Sequence, residues 1–203
     1  RSQPFEGTVL FDYNTFDYDY YVWYKVVGDD NHNDVAPACV AVTIAKKQIA
    51  KPAADNSTFT YNGSYQTYAM NGDPAFIIDN NVQKNAGSYT VTVTLQDTAN
   101  YEWTDGTTAV LEYTFKIEQK EIGISWSNTA LTYNGAAQRP TATATGVVTG
   151  EQIALLLSAP ETNAGSYTAM VQGIDGETAQ NYKLPAGRST TFTIEQQALT
   201  IVW

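Results

Sequence analysis

The sequence predicts an all-β protein made of tandem β-sandwich modules in a linear array. Thr and Tyr, which suit half-buried pleated surfaces, occur 27 and 14 times among 203 residues. Apolar and polar residues alternate strictly over residues 88–95, which is the period of a strand with one buried face. Short motifs also occur twice in the same order along the chain, which indicates internal repeats.

The composition excludes several classes of protein. Lys and Arg total 11 and Asp and Glu total 21, so the formal net charge is −10. Such an acidic surface repels phosphate backbones, and we expect no nucleic-acid partner. No apolar run approaches the roughly 20 residues that a membrane-spanning helix needs, so we expect no membrane insertion in this segment. Aromatic residues make up 12% of the chain, which argues against disorder.

The single cysteine and the single histidine restrict the chemistry. Cys39 alone cannot form an intrachain disulfide, and so few thiols favour an exported protein. With His32 as the only histidine, there is little room for Ser/His/Asp or Cys/His catalysis or for a His-rich metal site. We therefore expect no catalytic residues, no metal site and no cofactor, and so a protein that is not an enzyme.

Four motifs define the repeat. Residues 61–63 recur as 133–135 (Tyr-Asn-Gly), 85–90 as 163–168 (Asn-Ala-Gly-Ser-Tyr-Thr), 100–101 as 181–182 (Asn-Tyr) and 115–119 as 192–196. An N-terminal copy lacks the Tyr-Asn-Gly turn, although Tyr20, Val22, Tyr24 and Val26 align with Tyr89, Val91, Val93 and Leu95. Its later part aligns Val42 with Phe115 and Ile44 with Ile117.

These alignments divide the chain into four parts. The first repeat, over residues 1–46, is the back half of a module. The second repeat covers residues 47–119 and the third covers residues 120–196, and both are complete. Residues 197–203 are the first strand of a further repeat, because residues 198–203 align with residues 121–126. Since the chain begins with Arg1 rather than Met, we expect it to be a piece of a longer protein.

Short antiparallel strands are predicted inside each repeat. Residues 88–95 and 111–117 alternate as strands, and a strand at Phe59 and Tyr61 ends at an Asn-Gly turn. Residues 151–158 are the only helix-like stretch, and it is short. A module of about 75 residues buries only about 60% of its unfolded surface, so it gains from packing on its neighbours. Two packed sheets of the immunoglobulin (Ig) type are the most economical arrangement, with a sheet closed over one helix as the alternative.

The motifs resemble those of a known class of modules. Tyr-Asn-Gly-x-x-Gln from Tyr61, Asn-Ala-Gly-Ser-Tyr-Thr-Val-Thr-Val from Asn85 and Tyr-Thr-Phe-Lys-Ile from Tyr113 are similar to the tandem Ig-like, MBG-type repeats of large bacterial cell-surface and adhesin proteins. The resemblance implies an extracellular, non-enzymatic stalk, spacer, fibre subunit or adhesive surface. The implied partners are neighbouring modules, other copies of the chain, or a host or surface protein or glycan. It names no ligand, because fold does not specify function.

Two aromatic residues are candidates for a binding surface. By the repeat alignment Val22 and Tyr24 face inwards, so Tyr21 and Trp23 face outwards. Adjacent exposed aromatic rings on a strand mark an interface, and such rings also stack on sugars. The alternative is that Tyr21 and Trp23 pack under a loop or against a neighbouring module.

The loop at residues 29–34 is rich in carboxylates and amides. Such oxygen ligands suit Ca²⁺, but the spacing departs from the EF-hand pattern, so a solvated turn is favoured and no metal is predicted. His32 takes the place of Tyr101 in the alignment, and we expect it to pack rather than to bind.

The incomplete first repeat suggests assembly by strand addition. Residues 198–203 are the type of strand that residues 1–46 lack, so the last strand of one chain could complete the first repeat of another. The donated side chains are then Leu199, Ile201 and Trp203, and the accepting ones are Val22, Tyr24, Val40, Val42 and Ile44. Repeated head to tail, this contact gives a filament. The alternative is a chain that was cut in the middle of a repeat.

Overall fold

The computed structural model describes residues 20–201, and these residues are all-β. They form two compact units, one of residues 20–50 with 97–108 and the other of residues 51–96 with 109–201. The repeat boundaries after residues 46, 119 and 196 stay predictions. Trp203 and residues 1–19 lie outside the described residues, and so do the predictions that concern them.

The strands are short and are numbered here along the chain. The first repeat has β1 (Tyr20–Tyr24) and β2 (Ala38–Val42). The second repeat has β3 (Lys47–Ile49), β4 (Phe59–Thr60), β5 (Gln66–Thr67), β6 (Phe76–Asp79), β7 (Val82–Gln83), β8 (Gly87–Leu95), β9 (Tyr101–Trp103) and β10 (Leu111–Glu118). The third repeat has β11 (Lys120–Glu121), β12 (Gly123–Ser127), β13 (Ala130–Thr132), β14 (Thr141–Thr145), β15 (Ala154–Leu157), β16 (Gly165–Asp175), β17 (Tyr182–Lys183) and β18 (Ser189–Glu195).

The unit of residues 20–50 and 97–108 contains a hairpin and a short parallel pair. In the hairpin β1 and β2 are antiparallel, with Val22 opposite Val40 and Trp23 opposite Cys39. The parallel pair joins β3 to β9, and it places Ile49 beside Trp103. Both of these side chains are buried.

The unit of residues 51–96 and 109–201 contains two four-stranded sheets of the same topology. Their strand orders are β4-β10-β8-β6 and β13-β18-β16-β15. In each sheet the first pair of strands is parallel and the other two pairs are antiparallel. The repeated motifs therefore specify the same sheet twice.

The register of the central strands also repeats. Tyr89 lies opposite Phe115 in the second repeat, and Tyr167 lies opposite Phe192 in the third. In the hairpin, the backbone of Tyr20 lies opposite that of Val42, and these are the two positions that the sequence aligns with Tyr89 and Phe115. The hairpin thus has the pairing of the central strands of a complete sheet.

One hydrophobic cluster extends over the second and third repeats. Its buried members are Tyr61, Tyr68, Val91, Phe115, Ile117, Ile122 and Tyr182. A smaller cluster of Ala169, Phe192 and Ile194 fills the third repeat further along. The predicted alternation of β8 is confirmed, because Val91 and Val93 are fully buried while Thr90 and Thr94 are exposed.

A tyrosine fixes the turn before the longest strand of each sheet. The Tyr89 hydroxyl donates a hydrogen bond to the Asn85 carbonyl oxygen at 2.9 Å, and the Tyr167 hydroxyl donates to that of Asn163 at 3.0 Å. The Asn-Ala-Gly-Ser-Tyr motif is therefore a turn closed by its own tyrosine.

The middle of the helix-like stretch at residues 151–158 is a strand, β15, and not a helix. Ala154 and the three leucines after it have high helix propensity, but residues 154–157 pair with β16 instead, since this pairing and the half-burial of Leu155 and Leu157 outweigh local preference. Residues 20–201 contain no α-helix and only a three-residue 3-10 turn, Ala179–Asn181, so no sheet within them closes over a helix. In this same part of the chain, no helix has the length and apolar character that crossing a membrane requires.

Candidate functional site

The first candidate surface is the outward face of β1. Tyr21 and Trp23 are 43% and 57% exposed there. Ala41 and Cys39 lie opposite them on β2, so two large aromatic rings share this face with two small side chains. That Tyr21 and Trp23 bind a ligand stays a prediction.

The other face of the hairpin carries the proposed acceptor residues. Val22, Tyr24, Val40 and Val42 are between 39% and 56% exposed, and Ile44 is 68% exposed. The residues of the second repeat that align with Val22 and Val42 are Val91 and Phe115, and both are fully buried. Among the described residues only β1 and β2 form this sheet, so an apolar core face is left uncovered there.

The proposed donor strand lies outside any sheet. Residues 196–201 form no strand, and Leu199 and Ile201 are 95% and 71% exposed. These two apolar side chains are therefore free of the folded core. Trp203, the third proposed donor, is outside the described residues.

The loop at residues 29–34 satisfies its own carboxylates. Asp29 accepts hydrogen bonds from the Asn31 amide at 2.9 Å and from the His32 ring at 2.6 Å. Asp34 accepts from the Gly28 amide at 2.8 Å and pairs with the Lys25 ammonium at 3.0 Å. These partners hold the pKa of both aspartates below the ordinary value, the His32 ring acting most on Asp29 and Lys25 most on Asp34.

The structure bears on two further features of this loop, its oxygen ligands for Ca²⁺ and the expected packing of the His32 side chain. Residues 20–201 contain no group of three or more His, Cys, Asp or Glu placed to hold a metal ion. The expectation that His32 packs is wrong, because its side chain is 77% exposed and closes the loop through Asp29. The ring bonds to the carboxylate that accepts from the Asn31 amide, so it stabilises the turn through a polar contact and not through packing.

The most highly organised polar site is a junction between the second and third repeats. Glu151 lies in the loop before β15 and accepts hydrogen bonds from two buried tyrosines, one from each repeat. The Tyr61 hydroxyl donates to Oε1, and the Tyr182 hydroxyl donates to Oε2 at 2.5 Å. The two rings meet edge to face, with centroids 5.5 Å apart. We call this set the Glu151 junction.

The electrostatics of the Glu151 junction favour one protonation state. Burial has the largest single effect and raises the pKa of the Glu151 carboxyl, but hydrogen bonds from Tyr182 and Tyr61, together with smaller effects of Thr178 and the Lys84 charge, outweigh it and hold this pKa below the ordinary value. Burial and the hydrogen bond to Glu151 raise the pKa of Tyr61 to about 12, and the same causes raise that of Tyr182. Near neutral pH, one carboxylate therefore holds two protonated hydroxyls. Such groups are poorly suited to acid–base catalysis and well suited to clamping two segments together.

A second set of polar contacts reinforces this junction. The buried Asn181 of the third repeat accepts a hydrogen bond from the Ala86 amide at 2.8 Å and donates one to the Asn85 side chain at 3.3 Å. The Tyr182 hydroxyl also accepts from the Val148 amide at 3.0 Å. These bonds satisfy groups that burial would otherwise leave without partners.

Gly63 lets the two repeats approach closely. It ends the Tyr-Asn-Gly turn with φ of +80°, and a Cβ added there would lie 2.5 Å from Cγ1 of Val148 in the third repeat. Glycine therefore meets two demands at this position, the left-handed turn and the contact with Val148.

The sequence marked most of these residues as motifs and missed their contact. Tyr-Asn-Gly, Asn-Ala-Gly and Asn-Tyr stand out in the sequence as repeated motifs, yet the copies at 61–63, 85–87 and 181–182 converge on one junction. Glu151 was not singled out. The available signal was the Gly-acid pair at Gly150-Glu151, which has a counterpart at Gly72-Asp73.

Comparison with protein-family models, with curated proteins and with solved structures gives no significant match.

Proposed function

We propose that this chain is a non-enzymatic structural segment of a bacterial cell-surface protein, which lies outside the cell and acts as a stalk or spacer in adhesion. The observation that carries the spacer role is the Glu151 junction, while the bacterial and extracellular location rests on the resemblance of the repeated motifs. It joins two consecutive repeats through buried hydrogen bonds and through one shared hydrophobic cluster. Repeats joined in this way resist bending at their boundary, which is what a spacer requires.

We also propose that the repeats are tandem Ig-like β-sandwiches. Strands β6, β8 and β10 lie side by side in the order of the C, F and G strands of an Ig sheet. The hydrogen bond from Tyr89 back to the Asn85 carbonyl is similar to the tyrosine corner of that fold, and Tyr167 repeats it.

The surface chemistry agrees with a protein whose sheet faces are exposed to water. The net charge of −10 discourages association through side faces. The outward positions of β8 and β16 carry small polar residues such as Thr90 and Thr168, which are exposed. Surface labelling of intact cells that make the protein, with an antibody to this segment, tests the location.

Rigidity at the junction is the direct test of the spacer. Spin labels at Thr90→Cys and Thr168→Cys, in a Cys39→Ser background, report the distance between the second and third repeats. We expect one narrow distance distribution, which Glu151→Ala broadens and the exposed control Glu161→Ala leaves unchanged. A broad distribution in the protein with Glu151 intact contradicts the spacer.

Strand donation between chains is the proposed route from spacer to fibre. Two observations support it, the exposed core face of the hairpin and the exposed Leu199 and Ile201. Light scattering over a range of concentrations should show a ladder of oligomers, lost on deletion of residues 198–203. Leu199→Asp and Ile201→Asp should also abolish it, whereas Thr200→Asp, which alternates to the opposite face of an extended strand, should not. A monomer at every concentration contradicts the donation.

Adhesive binding through the aromatic face is the second candidate function. It is favoured by the exposure of Trp23, which at 57% is unusual for this side chain on a strand. Glycan and cell-surface protein arrays probed with the chain should give signals that Trp23→Ala removes. Tyr65→Ala, at another exposed aromatic residue, is the matched control. Signals that survive Trp23→Ala count against this function.

A further inference from the structure

We propose that the exposed end of the third repeat is a docking surface for another repeat of the same kind, joined after residue 196 as the third repeat is joined after residue 119. This surface consists of Tyr133, Gly135, Asn163 and Ala164, and we call it the open end. Its partner presents a carboxylate and an Asn-Tyr pair, as the third repeat does towards the second. The inference deepens the proposed spacer function and rests on it.

The open end repeats the residues that form the Glu151 junction in the second repeat. Tyr133 and Gly135 correspond to Tyr61 and Gly63 in the Tyr-Asn-Gly motif, and Asn163 and Ala164 correspond to Asn85 and Ala86. The two copies of the Tyr-Asn-Gly turn follow equivalent strands, because β4 lies parallel to β10 in one sheet and β13 lies parallel to β18 in the other. The backbone of the Tyr-Asn-Gly turn also agrees, with φ of +80° at Gly63 and +78° at Gly135.

The same residues differ sharply in burial. Tyr61 is 2% exposed and Tyr133 is 39% exposed. A Cβ at Gly63 would meet Val148 at 2.5 Å, whereas a Cβ at Gly135 would meet nothing within 4 Å. Ala86 is half-buried and donates its amide to Asn181, whereas Ala164 is exposed. One surface is covered by a repeat and its copy is not.

The contacts in the covered copy define what the open end would bind. Tyr133 needs a carboxylate to accept its hydroxyl, as Glu151 accepts that of Tyr61. The Ala164 amide needs a side-chain amide oxygen, as Asn181 gives Ala86. Gly135 leaves room for an apolar side chain such as Val148. A following repeat brings all three, in the order in which the third repeat carries them.

The sequence after the third repeat also matches the sequence that connects the second repeat to the third. Residues 192–196 match 115–119, and residues 198–203 align with residues 121–126, which lead into the third repeat. The short connection that places the third repeat on the second, from Glu118 at the end of β10 to Lys120 at the start of β11, thus has a counterpart after Glu195.

The test lengthens the full chain by inserting a second copy of residues 120–196 after residue 196. Amide hydrogen exchange at Ala164 should slow by about tenfold or more relative to the original chain, because a docked repeat accepts its hydrogen bond. Replacing the inserted copy of Glu151 by Ala should reverse this protection, and Glu161→Ala in the inserted copy should not. Unchanged exchange at Ala164, or protection that survives loss of the inserted Glu151, overturns the inference.

The Ala86 amide in the same sample separates the two proposals. If Ala86 is protected and Ala164 is not, the docking surface is refuted and the spacer stands. If neither amide is protected, the Glu151 junction itself fails and the spacer fails with it. In the original chain, protection of the Ala164 amide could instead increase with protein concentration. That result would show that a second copy of the chain binds the open end, and it would overturn the proposal that a following repeat docks there.

Discussion

The hydroxyl of Tyr182 donates a hydrogen bond to Oε2 of Glu151 at 2.5 Å, while Oε1 of the same carboxylate accepts from Tyr61 in the preceding repeat. One ionised side chain thus connects two modules. Because both tyrosines are 2% exposed, each hydroxyl depends on this acceptor.

Glu151→Ala should lower the free energy of unfolding by about 2–4 kcal/mol, because it leaves two buried hydroxyls without their acceptor. Chemical denaturation followed by tryptophan fluorescence measures the loss. Glu161→Ala, an exposed carboxylate of the same repeat, should change the stability by less than about 0.5 kcal/mol. Equal effects of the two substitutions would show that the carboxylate of Glu151 is not a clamp.

Tyr61→Phe and Tyr133→Phe form a matched pair. The first removes a buried hydroxyl that donates to a carboxylate and should cost about 1.5–3 kcal/mol. The second removes a hydroxyl from a ring that is 39% exposed and should cost less than about 0.5 kcal/mol. Thermal unfolding of the two variants under one buffer condition makes the comparison. A larger loss of stability for Tyr133→Phe than for Tyr61→Phe would contradict the buried hydrogen bond from Tyr61 to Glu151.

The junction should weaken at both ends of the pH scale. The pKa of Glu151 is lowered from 4.5 in the folded state, so the unfolded state binds more protons in acid. Its contribution is fully present above about pH 4.5 and is lost as pH falls through the lower folded pKa. As the pH is lowered from 7 to 2, the denaturation midpoint should fall more steeply for the unaltered chain than for Glu151→Gln.

In alkali the tyrosines act in the opposite sense. The pKa of Tyr61 is raised from 10.0 to about 12, so its contribution is present below pH 10 and is lost as pH rises towards 12. Absorbance at 295 nm should show Tyr61 ionising after the exposed tyrosines. The difference spectrum between the unaltered chain and Tyr61→Phe isolates this step, and ionisation near pH 10 would contradict the buried hydrogen bond.

Gly63→Ala and Gly135→Ala separate turn strain from contact between repeats. Both glycines have nearly the same positive φ, so the backbone strain in each alanine variant should lower the free energy of unfolding by about 1 kcal/mol. Gly63→Ala also forces its methyl group against Val148, and the displacement should cost about 1–3 kcal/mol more. Urea denaturation of the two variants gives the difference directly. Equal losses of stability for the two variants would show that Gly63 is not in close contact with Val148.

Much of the fold could be predicted from local pattern. The alternation at residues 88–95 predicted which side chains of β8 are buried, because side chains of a strand point to opposite faces in turn. The aligned motifs predicted strands whose sheets have the same strand order and the same register between their two central strands. The stretch at residues 151–158 could not be assigned in this way, because leucines suit a helix and a buried strand equally well.

The candidate site was predicted only in part. The outward position of Tyr21 and Trp23 follows from the period of one strand, and it needs no knowledge of the rest of the chain. The Glu151 junction joins Tyr61 to residues 90 and 121 positions later, and no local pattern encodes such a separation. Its motifs were visible as repeated letters, and repetition alone does not distinguish a turn from an interface.

The sequence by itself determined that this is a β protein with repeated motifs, a single cysteine and a net negative charge, because composition and periodicity act on each strand separately. Only the tertiary structure decided that Tyr61, Glu151, Asn181 and Tyr182 meet, that Val22 and Val42 remain uncovered, and that the copy of the junction at Tyr133 is open. Burial is a property of what lies opposite a side chain in space. Two copies of one motif therefore have different environments here, because the third repeat packs on Tyr61 and leaves Tyr133 39% exposed.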